Sequence, residues 1–155
     1  MRIVTFTSDF GTSDHYVAAV KATMLSEQPE QTIVDISHQI EPFDLAHMAY
    51  TLRSVYEQFP KGTIHLIGSN GKSASRDVLL LTEINGHAFV APDNGVLSLL
   101  SDRPLAAVYA WEDEGFSNFP SLKAAQLAMR LAKGESMESI GEHTTAYTQL
   151  MLRQP

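Results

Sequence analysis

Residues 2–28, RIVTFTSDFGTSDHYVAAVKATMLSEQ, carry the pattern that decides the fold. RIVTFT is β-branched and apolar and reads as a strand, SDFGTSD as a polar loop, and HYVAAVKATMLSEQ repeats its apolar residues at helical spacing. Outward from this unit, Pro29 breaks the chain and TIVDIS (32–37) reads as a second strand. The loop HQIEPF leads into the helix DLAHMAYTLRSVYEQF (44–59), with Leu45, Met48, Ala49, Leu52 and Tyr56 on one face and Asp44 placed as its N-cap. KGTIHLIG (61–68) is a third strand, but the polar loop SNGKSASRD leads into another strand, VLLLTEI (78–84), where a helix would continue the alternation. Asn85-Gly86 supplies the positive backbone angles of a tight hairpin into HAFVAP (87–92). PLAAVYAW (104–111) reads as a further strand before the helix SLKAAQLAMRLAKG, which Gly134 terminates. The expectation is an α/β fold, a mainly parallel sheet with helices on both faces and an added antiparallel hairpin.

The chain has 155 residues, 44% of them hydrophobic, enough for one substantial core and too few for two ordinary domains. It shows no internal repeat and no low-complexity tract; the domain is expected over residues 1–145, with 146–155 as a linker or tail. No apolar run approaches the roughly 18 residues of a membrane span, and no basic-then-apolar leader opens the chain, so a soluble, cytoplasmic protein without a membrane partner is expected. The absence of cysteine removes disulfides, thiolate metal sites and a cysteine nucleophile together. A net charge of -7 argues against nucleic acid, whose phosphates call for clustered Lys and Arg, and leaves a small molecule as the expected partner.

In an open α/β sheet, ligands lie beyond the carboxyl ends of the strands. The loops there carry Asp9, Phe10, Gly11, Thr12, Ser13 and Asp14, then Asp35, His38 and Phe43, then Ser69, Asn70, Lys72, Ser73 and Arg76, and finally Asp93, Asn94 and Gly95. Ionised carboxylates such as Asp9 and Asp14 suit vicinal hydroxyls or an amine, because each accepts two hydrogen bonds at fixed geometry. Structural readings stand beside these: Asp9 as a turn residue, Asp14 as a helix cap, His38 as a hydrogen-bonded structural histidine, Phe43 as a hydrophobic staple, Asn94-Gly95 as a turn. The string GSNGKS resembles a phosphate-binding loop, but Leu66 stands where that motif needs glycine and a strand follows where it needs a helix. The six histidines show no helical pairing suited to metal, and no metal site is expected.

Four motifs in order resemble the S-adenosyl-L-methionine hydroxide adenosyltransferase family, the group that includes the fluorinase and chlorinase. They are TSDFGTSDHYV, IVDISHQIEP, FPKGTIH and APDNGVLS, and they cover most of residues 1–100. The resemblance implies a site for S-adenosyl-L-methionine, with displacement at ribose C5' by hydroxide or halide, release of L-methionine, and no cofactor beyond the substrate. It implies that Asp9 binds the ribose hydroxyls, that Asp14 and its neighbours take the methionine end, and that Phe43 walls the ribose, with Phe10 and Asn94 also counted among the substrate contacts. In hydroxide members an Asp-Arg-His set activates water. Here the family loop V-D-P-G-V-G-x-x-R becomes IGSNGKSASR, keeping Arg76 and placing Ser69 at the aspartate's position, and Asn118 or Phe119 stands near the histidine's. Arg76 and Ser69 are therefore the expected catalytic positions, with hydrolysis weak or lost. A non-catalytic nucleoside-binding or assembly module of the same fold is the alternative. The resemblance further implies a homotrimer and a β-barrel domain following the residues present.

Overall fold

The computed structural model describes residues 2–69, 78–112 and 119–150. Its strands are β1 (Val4–Ser8), β2 (Ile33–Ser37), β3 (Ile64–Gly68), β4 (Val78–Ile84), β5 (His87–Pro92), β6 (Val108–Glu112) and β7 (Glu142–Thr144). Its helices are α1 (Tyr16–Glu27), α2 (Leu45–Val55), α3 (Pro120–Ala132) and the single turn α4 (Met137–Ile140), with short 3-10 turns at Tyr56–Gln58 and Leu97–Leu99. The seven strands form one mixed sheet in the order β2-β1-β3-β5-β4-β6-β7. From β2 to β5 neighbours run parallel; from β5 to β7 they run antiparallel.

Alternation along the strands builds two cores. Val4 and Phe6, Ile64 and Leu66, Leu79 and Leu81, and Ala88 and Val90 face α1 and α3. Ile67, Leu80, Ile84, Phe89 and Ala91 face the opposite side, where Met48, Ala49, Leu52 and Tyr56 supply the predicted apolar face of the second helix. Leu45, expected on that face, is only partly buried. Strands buried on both faces read as apolar runs, which is why VLLLTEI and HAFVAP match β4 and β5 residue for residue.

Local chemistry sets the element ends. Asp44 accepts the His47 backbone N–H at 2.9 Å, the expected cap of α2. Asn85 and Gly86 take φ of 51° and 79°, both positive as the two-residue hairpin needs. After α3, the Gly134 and Glu135 amides return to the Leu131 and Arg130 carbonyls, with Gly134 at φ 100°, a left-handed helix stop.

Two features differ from the sequence reading. The strand expected from Pro104 begins at Val108, and a further edge strand, β7, pairs with it through Val108–Thr144 and Ala110–Glu142. The chain read as a tail is held on the domain up to Leu150. The Thr148 amide donates to Asp93 Oδ1 at 2.8 Å, the Leu150 amide donates to Ser98 Oγ at 2.9 Å, and the Leu150 side chain lies against Gly95, where any Cβ would collide with it.

Candidate functional site

The order β2-β1-β3 creates a switch point: the chain leaves β1 to one side for β2, then returns to its other side for β3. Open α/β sheets bind ligands at such a point, beyond the strand ends. Ser8 is level with Gly68 across the β1–β3 pair, so Asp9 and Ser69 are neighbouring first residues past the sheet. Asp93 follows β5, the next strand.

Asp9 is buried at 4% exposure. Its Oδ2 accepts the Ser69 hydroxyl and the Phe43 backbone N–H, each at 3.4 Å, so three of the expected residues from three different loops converge on one carboxylate. Phe43 takes φ of 67°, left-handed backbone in a bulky residue, and its side chain is 70% exposed. Such a conformation costs about 1–3 kcal/mol and is held only where the surroundings impose it. The staple reading is thereby corrected: a staple would bury Phe43 against Met48, whereas the ring faces outward.

Phe10 lies across Gly68, where a Cβ would come within 2.8 Å of its ring. It packs with Phe119 at 5.3 Å and Tyr16 at 6.2 Å between centroids, and Tyr16 and Phe119 meet at 5.3 Å. The segment expected to replace the family histidine thus contributes Phe119 to an aromatic cluster beside the Asp9 loop. Asn118 lies outside the described residues, as do Asn70, Lys72, Ser73 and Arg76.

Asp14 is exposed and does not cap α1: His15 holds the N-cap position without a side-chain bond, and Asp14 makes no hydrogen bond among the described residues. The capping reading of Asp14 is thereby corrected, the chain entering α1 one residue later than a cap at that position requires. Asn94 forms the expected turn, its Oδ1 accepting the Val96 amide at 3.0 Å. Its Nδ2 and the Thr7 Oγ1 on β1 are buried without partners among the described residues. Buried polar atoms are nearly always paired, and these two, with Gln31 Oε1, are the exceptions among the described residues.

His38 uses both ring nitrogens. Nδ1 meets Ser8 Oγ at 2.6 Å, and Nε2 meets Asp35 Oδ1 at 2.8 Å. Asp35 also pairs with Lys21 of α1. Burial pushes the Asp35 carboxyl up, but the hydrogen bonds and charges of His38 and Lys21 outweigh it and hold the group below the usual carboxylate range. Ser8 and Lys21 were not singled out from sequence; Ser8 sits inside the TSDFG motif, which was the available signal. Among the described residues no cluster of three His, Cys, Asp or Glu could hold a metal, and no helix is long and apolar enough to cross a membrane.

Known proteins share this fold and much of this sequence. A solved structure from Thermotoga maritima, described as an uncharacterized conserved protein, superposes with a TM-score of 0.81 at 29% identity, covering 99% of this chain and 62% of its own. An (R)-S-adenosyl-L-methionine hydrolase from Thermus thermophilus is 32% identical over 96% of this chain and 64% of its own length. A fluorinase from Nocardia brasiliensis is 29% identical over 62% of this chain and 40% of its own. The chain therefore spans less than two thirds of the relatives it matches. Residues 4–141 match the model of the SAM hydroxide adenosyltransferase N-terminal domain, and the chain belongs to that family.

Proposed function

We propose that this domain forms the ribose- and methionine-facing part of a site for S-adenosyl-L-methionine. The carrying observation is the burial of Asp9 at the switch point with Phe43 and Ser69 drawn onto its carboxylate. An anionic acceptor fixed there suits two vicinal ribose hydroxyls. The exposed Phe43 ring would wall the sugar, and Phe10 and Asn94 would complete its surroundings. Among the described residues the His15 side chain does not cap α1, and the first-turn amides with Asp14 would meet the carboxylate and ammonium of methionine.

The chemistry asks little of the protein. A nucleophile donates an electron pair to C5', the C5'–S bond breaks with its electrons returning to sulfur, and the positive sulfonium becomes neutral methionine. Alignment and desolvation of the nucleophile supply most of the acceleration. For a water nucleophile a proton must also leave. Ser69 cannot accept it at neutral pH, because an alcohol oxygen is only a weak base, and Phe119 has no proton-accepting atom. Hydrolysis to adenosine is therefore expected to be weak, with Arg76 the remaining member of the family set. A halide would need no base. The homotrimer and cytoplasmic setting belong to the same proposal, the first tested by sedimentation of the purified protein.

The second reading is a non-catalytic nucleoside-binding or assembly module, favoured by Ser69 and by the packing of Phe119 into the aromatic cluster. Calorimetric titration with S-adenosyl-L-methionine and with adenosine tests the site. Saturable micromolar binding, lost in Asp9→Ala, supports it; no binding at millimolar ligand removes the enzymatic reading. Ser69→Asp with Phe119→His, in a chimera carrying a relative's β-barrel domain, separates the two readings. Adenosine release in that chimera favours the enzyme, and binding without release favours the module.

A further inference from the structure

We infer that His38 is a positioning residue for the Asp9 loop, acting through Ser8 to fix the backbone that aims the Asp9 carboxylate. The inference rests on the proposed role of Asp9 toward a ribose. Beyond Asp9 the next two amides are both committed to this pair: the Phe10 N–H donates to Ser8 Oγ at 3.3 Å, and the Gly11 N–H donates to the His38 carbonyl at 2.7 Å. Ser8 is fully buried and His38 is 6% exposed, so water does not compete for these bonds. The ring is wedged by Phe6, edge-on with centroids 4.7 Å apart.

In the neutral ring only one tautomer fits the network. Asp35, shared with Lys21, accepts the Nε2–H; in the neutral ring Nδ1 is then an acceptor, the Ser8 hydroxyl donates to it, and the remaining Ser8 lone pairs face the Phe10 amide. The opposite tautomer would set a lone pair against a carboxylate. A register slip between Phe6 and Thr7 of β1 opposite Asp35 and Ser37 of β2 adds one residue to β2, and the following turn brings His38 back onto Asp35. Ser8, His38 and Asp35 have the composition of a nucleophilic triad. Burial excludes that use, because no substrate carbonyl can reach a Ser8 with no exposed surface.

The test compares adenosine with 2',3'-dideoxyadenosine, which lacks the hydroxyls assigned to Asp9. In wild type, adenosine binds more tightly. His38→Ala and Ser8→Ala are expected to weaken adenosine at least about tenfold and to leave the dideoxy ligand within about threefold, while His38→Asn, which keeps an acceptor at the Nδ1 place, stays near wild type. Equal loss for both ligands, or no loss, overturns the inference while the ribose reading stands. A wild type that does not distinguish the two ligands overturns both. Independently of any ligand, nitrogen-15 resonances should show the His38 ring protonated at Nε2; a ring protonated at Nδ1 alone overturns the inference even if every variant unfolds.

Discussion

Two histidine networks are buried in the same sheet, and they serve opposite ends of it. His38 lies at the carboxyl end of the parallel strands, tied outward through Asp35 to Lys21 and inward through Ser8 to the Asp9 loop. His65, on β3, is fully buried about 10 Å away along β1, at a strand rise near 3.3 Å per residue. Its Nδ1 meets Thr5 Oγ1 at 2.7 Å and its Nε2 meets His87 Nδ1 at 3.1 Å. Around it stand Tyr56, Phe59 and Phe89, with Phe89 stacked at 4.9 Å. Burial, reinforced by His87, pushes the His65 pKa down to about 3. One network connects a surface ion pair to loop backbone; the other closes on itself among aromatic rings. The two histidines share burial and differ in where their partners lead.

The comparison is broken most severely by His65→Ala, which leaves Thr5 and His87 without their partner and opens a cavity. About 3 kcal/mol of stability should be lost in urea unfolding, with adenosine affinity unchanged in the protein that remains folded. Acid should act at the same end. The folded His65 pKa is depressed below the ordinary value near 6.5, so the unfolded chain takes the proton first. His65 therefore contributes full stability above about pH 6.5, and that contribution is lost progressively as pH falls toward about 3. Urea midpoints across this window should fall less steeply in His65→Leu than in wild type.

At the other end the ordering reverses. Asp9→Asn should cost roughly 10- to 100-fold in adenosine affinity, the worth of hydrogen bonds to a charged acceptor, and less stability than His65→Ala. The smallest effect is expected from Phe43→Gly. Relief of its positive φ should stabilise the fold by about 1 kcal/mol in the same urea assay, while affinity falls because the exposed wall is gone. A Phe43→Gly protein that loses stability would show that the ring is packed, and would return Phe43 to a structural role.

Legibility followed the range of the forces involved. The hairpin at Asn85-Gly86, the cap at Asp44 and the stop at Gly134 were readable because each is decided by one or two residues' own backbone preferences. The strand β7 was not, because EHT is short and polar and becomes a strand only by pairing with β6 at the sheet edge. Pro104 and its neighbours read as strand because they are apolar, yet pairing starts only at Val108. Within the site, motif order selected Asp9, Phe43 and Ser69, whereas Ser8 was overlooked inside its own motif because its partner is thirty residues away.

By itself the sequence determined the alternation of strands and helices, the two-faced core and the four motifs that place the chain in its family, since periodicity and local turn chemistry are written residue by residue. Only the tertiary structure decided the strand order β2-β1-β3, the strained exposure of Phe43, the aromatic cluster at Phe119 and the His38 network. Each of these depends on residues far apart in the chain meeting across a sheet edge, and such meetings are set by packing the whole core, which no single stretch of sequence encodes.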